Sequence, residues 1–139
     1  MMKTMNIKLM QKSATAVELT QEAYPVIVDR PIENGGGGQG IIGGKYLLIG
    51  IGGCFCSTLL AAAQSRNIRI DELTVEVTAN LSAEAPPRFT DIQITVDYLQ
   101  NADYHDIKKL ITIAEKGCTV INTIKTGVNF KARLKELLA

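Results

Sequence analysis

Asn34-Gly-Gly-Gly-Gly-Gln-Gly-Ile-Ile-Gly-Gly-Lys-Tyr-Leu-Leu-Ile-Gly-Ile-Gly-Gly-Cys-Phe-Cys56 is the stretch whose reading decides the fold. Its first part, residues 34–44, holds seven glycines in eleven positions, too many for a helix or a strand. It reads as a flexible connection. From Lys45 to Arg66 the chain is apolar on nearly every face and reads as a helix at the centre of the protein. Gly50, Gly52 and Gly53 each cost such a helix about 1 kcal/mol relative to alanine. Close approach of another backbone is the expected compensation. The apolar run Tyr46–Ala63 is 18 residues long, the lower edge of a membrane span. Its glycines and the lack of a charged stop-transfer flank favour a buried core helix.

Working outward toward the N-terminus, period-two alternation marks strands. Met5, Ile7 and Leu9 alternate with polar residues, as do Val17 and Leu19, and Val26-Ile27-Val28 lies within a third run, Tyr24–Arg30. Toward the C-terminus, Leu73, Val75, Val77, Ala79 and Leu81 form one half-wet strand, and Ile92, Ile94, Val96 and Tyr98 a second. The turn-rich Ser82–Pro87 joins them. Asp103 is a good N-cap with Asp106 in the first turn of a second helix. Ile107, Leu110, Ile111 and Ala114 are its buried stripe, and Gly117 ends it. A short helical segment over 118–126, then Gly127, then a last strand Val128–Leu134 complete the order βββ-α-ββ-α-α-β, an α+β class. One domain over 1–139 is expected: a strand meander (1–33), the Gly-rich loop (34–44) and a helix–strand–helix core (45–139).

Composition narrows the function. The chain is 46% hydrophobic and 21% charged, and its net charge of +1 offers no general attraction to nucleic acid or acidic membranes. No leader is read at the start, and three cysteines, an odd number, fit a reducing compartment better than a secreted disulfide framework. A cytoplasmic protein is therefore expected. Gly44-Lys45 fails as a phosphate loop, because Gln39 stands where the first glycine belongs and Tyr46 where the hydroxyl residue belongs. Cys54 and Cys56 lie about 200° apart around a helix and cannot share one ion. His105, the single histidine, falls in a solvated first turn. No cofactor or metal is expected. The cysteines remain, and by itself each such cysteine is more often an inert buried thiol than a reactive one.

Pro31-Ile-Glu-Asn-Gly-Gly-Gly-Gly-Gln-Gly40, Leu47-Leu-Ile-Gly-Ile-Gly-Gly-Cys-Phe55 and Ala114-Glu-Lys-Gly-Cys118 together resemble the OsmC/Ohr family: its Gly-rich loop, its Gly-x-x-x-Cys-Phe helix and its second cysteine motif. Leu73-Thr-Val-Glu-Val and Pro86-Pro-Arg-Phe-Thr-Asp-Ile resemble the family's paired strands. The resemblance implies an intertwined homodimer with the long helices at its centre. It implies reduction of organic hydroperoxides, with Cys54 as the peroxidatic thiol, Cys118 as the resolving thiol, and a dithiol reductant, lipoyl-linked in one branch. The resemblance implies an activating Arg positioned by a Glu; that Glu falls on Gly44 here, and Arg30, the only arginine before the helix, is the candidate cation. Arg88 and Lys45 are the other cations considered. Thr119 stands where Pro is common. A second reading is a catalytically weak dimer of the same fold that binds an apolar small molecule at the subunit interface.

Overall fold

The computed structural model describes residues 2–98 and 102–136. The chain divides into two units, Met1–Ile49 and Gly50–Ala139, with the division inside the long helix. In the first unit, β1 (Lys8–Gln11), β2 (Val17–Thr20) and β3 (Ile27–Val28) form an antiparallel sheet in that order. Leu9 opposes Leu19, and Val17 opposes both Gln11 and Val28. The Ser13 hydroxyl accepts the Thr15 and Ala16 amides and so sets the β1–β2 turn. The expected meander is present, but its strands are shorter than the alternation suggested. Met5 and Ile7 precede β1 and are exposed.

The Gly-rich segment is not a flexible connection. A Cβ on Gly36 would lie 2.0 Å from the Arg30 carbonyl oxygen, and one on Gly40 the same distance from that of Ile27. Only glycine permits these approaches. The Asp29 carboxylate, 3% exposed, accepts the amides of Arg30 at 2.8 Å, Gly37 at 3.2 Å and Gln39 at 3.1 Å. A buried acceptor thus satisfies loop donors that would otherwise go unpaired.

Helix α1 spans Gly43–Ser65. Within the first unit, the Tyr46 hydroxyl donates to the Ile27 carbonyl at 2.8 Å. Within the second, Ile51, Gly52, Phe55, Leu59, Ala62 and Ala63 form one buried stripe. On the single chain Leu47, Ile49 and Leu60 are exposed. The three helix glycines divide accordingly. Gly52 lies under the Val77 side chain, 2.8 Å from where its Cβ would be, whereas Gly50 and Gly53 face open space. By length and composition, with mean hydropathy 1.9, α1 could cross a membrane; the same composition suits a core helix.

Also in the second unit, β4 (Thr74–Leu81) and β5 (Phe89–Asp97) pair antiparallel, with Val75, Val77 and Ala79 opposite Val96, Ile94 and Ile92 on the drier face. β5 begins earlier than Ile92 because Leu81 pairs with Phe89, and the Ser82 amide donates to the Arg88 carbonyl at 2.8 Å to close the turn. Helix α2 (Tyr104–Gly117) opens at Asp103, whose carboxylate accepts the His105 amide, and buries Ile107, Leu110 and Ala114. Helix α3 follows over Thr119–Thr126. The expected last strand, Val128–Leu134, does not form. Among the described residues no backbone pairs with it, and Phe130 and Leu134 are 86% and 91% exposed. A strand exists only against a partner edge, so alternation alone could not produce this one.

Candidate active site

The site is made where the α2–α3 corner meets α1 within the second unit. Gly117 lets the corner come close: a Cβ there would be 3.4 Å from the Thr58 methyl, one turn along α1 from Cys54. Cys118 is the single extended residue between the two helices, with φ −83° and ψ 115°. It is the N-cap of α3, and its Sγ accepts the Ile121 amide at 3.5 Å. Asn122 closes the corner by donating to the Lys116 carbonyl at 3.0 Å.

This arrangement brings Cys54 and Cys118 close enough for each to shift the other's ionisation, both as free thiols. Their environments differ in sign. The Cys54 pKa is lowered, first by the Val120 amide and next by the Cys118 thiol, with the Thr119 amide contributing less; burial opposes them and is outweighed. The Thr58 hydroxyl adds least, since its one proton already serves the Cys54 carbonyl at 2.9 Å. Cys118 is fully buried. Burial pushes its thiol up, and so does its bond to Cys54, against the pull of the Ile121 and Val120 amides. Cys54 is half-buried, and the pair therefore holds one accessible sulfur that favours the thiolate and one enclosed sulfur that keeps its proton. Cys56 is half-buried as well, and burial raises its pKa.

Two of the cations considered from sequence have partners close by in the chain. Arg30, in the first unit, donates to the Asn34 carbonyl at 3.3 Å. Arg88 donates to the Pro86 carbonyl at 2.9 Å within its own turn. Within the second unit the Cys54 pKa is lowered by the Val120 and Thr119 amides at a helix start, which sequence reading missed, and by the Cys118 thiol. The available signal was a cysteine placed between a helix-ending glycine and a new helical segment, the position of an N-cap. The buried Asp29 was also missed; an acidic residue just before a run of glycines, whose amides need acceptors, was its signal.

A family model described as OsmC-like protein matches residues 36–133. The chain belongs to the OsmC-like family. Solved structures agree in fold. An OsmC like protein from Mycoplasma pneumoniae is 21% identical with a TM-score of 0.77, the match covering 90% of this chain and 89% of that one. An organic hydroperoxide resistance protein, OsmC, from Legionella pneumophila is 19% identical with a TM-score of 0.66, covering 90% and 91%. An organic hydroperoxide resistance protein from Elizabethkingia anophelis is 17% identical with a TM-score of 0.67, again covering 90% and 91%. No curated protein matches. At these identities the likeness speaks to the α+β fold, which this OsmC-like chain shares.

Proposed function

We propose that this OsmC-like protein reduces organic hydroperoxides through Cys54 and Cys118. The observation that carries the reading is the unequal thiol pair, with Cys54 biased to the thiolate and Cys118 biased to the thiol beside it. The Cys54 thiolate attacks the distal peroxide oxygen, breaks the O–O bond and becomes a sulfenic acid, while the alkoxide leaves and takes a proton to become the alcohol. Cys118 then attacks the sulfenic sulfur. A disulfide forms and water departs. A dithiol reductant, lipoyl-linked or similar, reopens the disulfide by two exchanges and is itself oxidised to a disulfide. The odd cysteine count fits this cycle to a reducing cytoplasm. Arg30 is the cation that family resemblance adds to the site.

The organic group has support of its own. A cavity of about 520 Å³ in the second unit is lined by Ile51, Phe55, Ile92, Ile94, Val96 and Ile121, among others. Phe55 adjoins Cys54 in sequence, and Ile121 is the residue whose amide meets Cys118. The same cavity favours the second reading, a binding protein for apolar small molecules. The functional form in this proposal is a homodimer. Its support is the uncovered apolar side of α1, with Leu47, Ile49 and Leu60, and the unpaired apolar segment 128–134.

The test is consumption of cumene hydroperoxide with dithiothreitol by the wild type and Cys54→Ser, with peptide mapping after one equivalent of peroxide. A Cys54–Cys118 cross-linked peptide and loss of turnover in Cys54→Ser are expected. If both thiols stay free and no peroxide is consumed, the binding reading replaces this one.

A further inference from the structure

The α2–α3 corner turns on one residue. Cys118 alone is extended between Gly117, where α2 ends, and Thr119, where α3 begins. The place of its sulfur therefore depends on the angle between the two helices. Near the hinge that angle is held by the Asn122 side chain on the Lys116 carbonyl. Far from the hinge it is held by an ion pair. Lys125 Nζ, in the last turn of α3, donates to Glu115 Oε1, near the end of α2, at 2.7 Å. Lys125 follows Cys118 by a helical rise of about 10 Å, so this contact spans the open side of the corner. Among the salt bridges of the described residues, this one joins two helices, whereas Lys12–Glu18 and Arg69–Asp71 do not.

A disulfide tolerates little error, since its Cβ atoms must come within about 4 Å of each other. A corner free to swing spends part of its time with Cys118 out of range. We propose that the Glu115–Lys125 ion pair is a positioning latch: it fixes the angle of the α2–α3 corner and so keeps Cys118 where it can bond to Cys54. Both are positioning residues that act through Cys118. The latch deepens the proposed function, because it rests on Cys54 and Cys118 being disulfide partners, but it does not depend on peroxide as the oxidant. The two side chains are 56% and 52% exposed, so the pair adds little to overall stability and its removal should leave the chain folded.

The test places the full chain in mixtures of 2-hydroxyethyl disulfide and 2-mercaptoethanol, both uncharged. As the protein disulfide forms, Cys54 and Cys118 give up two electrons and two protons, and hydroxyethyl disulfide is split into two mercaptoethanol molecules. The fraction of Cys54–Cys118 disulfide is read by thiol blocking and peptide mass spectrometry, and gives the effective concentration of one thiol at the other. Glu115 and Lys125 also line the apolar cavity, but no peroxide is present, so altered substrate binding cannot move this quantity.

Glu115→Gln and Lys125→Met should each lower the effective concentration roughly two- to fivefold, the scale of one exposed ion pair. The reversed pair, Glu115→Lys with Lys125→Glu, should recover most of the loss. Sodium chloride at about 1 M should bring the wild type down toward the single variants and move those variants little. Single variants level with the wild type overturn the proposal, and so does a reversed pair that recovers nothing. If the variants do not fold, the wild type decides, and an effective concentration indifferent to salt rejects the latch. Peroxide consumption is read separately. A salt- and pair-dependent disulfide in a protein that consumes no cumene hydroperoxide overturns the proposed function and leaves the latch standing; peroxide turnover through a disulfide indifferent to the pair does the reverse.

Discussion

The Ile121 amide lies 3.5 Å from Cys118 Sγ, so the thiol that lowers the Cys54 pKa is also the N-cap of α3. One atom thus ties the start of a helix to the ionisation of a second cysteine. A change at Cys118 therefore acts on chemistry and on capping at once, and the two can be separated by choosing a replacement that still caps.

Cys118→Ser is that replacement, because serine is a strong N-cap. The variant should fold with α3 intact and leave no thiol to condense with oxidised Cys54. After one equivalent of cumene hydroperoxide, a dimedone adduct on Cys54 is expected in place of the disulfide. Excess peroxide should then carry Cys54 to the sulfinic acid, which mass spectrometry reads directly.

The three thiols should react in an order set by their environments. Amide and thiol donors lower Cys54, so its thiolate is present at lower pH than that of an ordinary cysteine. Burial raises Cys56 and Cys118, so their thiolates appear only at higher pH. Iodoacetamide at neutral pH should therefore label Cys54 first. Cys56→Ala should retain most of the peroxide-reducing rate, and a loss as large as that of Cys54→Ser would show that the wrong thiol was assigned.

Asp29 gives an acid-side expectation. Burial alone would raise its pKa, but the Gln39 amide, the Thr15 hydroxyl and the Gly37 and Arg30 amides outweigh burial and hold it below the ordinary 3.8. A carboxylate with a depressed folded pKa contributes stability that is present above the unfolded value and is lost as pH falls through the folded one. Asp29→Asn should lower Tm at neutral pH. Its Tm should also fall less steeply than that of the wild type as pH drops below about 4. Parallel Tm-against-pH curves would show that the loop does not depend on this charge.

Two glycine substitutions should differ in kind. Gly36→Ala puts a Cβ onto the Arg30 carbonyl oxygen, which belongs to the backbone and cannot rotate away. A loss of about 1–3 kcal/mol is expected, read as a lower denaturant midpoint. Gly53→Ala meets nothing within the chain and, in an exposed helix, gains about 1 kcal/mol. In the proposed homodimer that face of α1 is covered, so Gly53→Ala should weaken association. Sedimentation equilibrium at micromolar concentration should give twice 15.1 kDa for the wild type and a shift toward 15.1 kDa for the variant. A concentration-independent monomer mass for the wild type would remove the dimer from the proposal.

Much of the fold was legible because its signals are local and periodic. Val75, Val77 and Ala79 alternate, and Ile107, Leu110 and Ala114 recur at helical spacing, so their buried faces could be read directly. Asp103 caps α2 as its type requires. The same logic overreached at Val128–Leu134, where alternation is present and, among the described residues, no strand edge pairs with it. At α1 the apolar composition all round exceeds what one chain covers, and Leu47, Ile49 and Leu60 stay exposed on the single chain.

What the sequence by itself determined is the family and the order of its elements: the Gly-rich loop, the helix carrying Cys54, the paired strands and the motif ending at Cys118. These depend on residue type and spacing, which are readable along the chain. Only the tertiary structure decided that Cys54 faces amides at the start of α3, and that Asp29 gathers the loop N–H groups. Main-chain donors are the same in every residue but proline, so sequence does not mark which ones will matter. That is settled by packing: Gly117 seats the α2–α3 corner against Thr58, and the seat aims the unpaired amides of α3 at the sulfur one turn away.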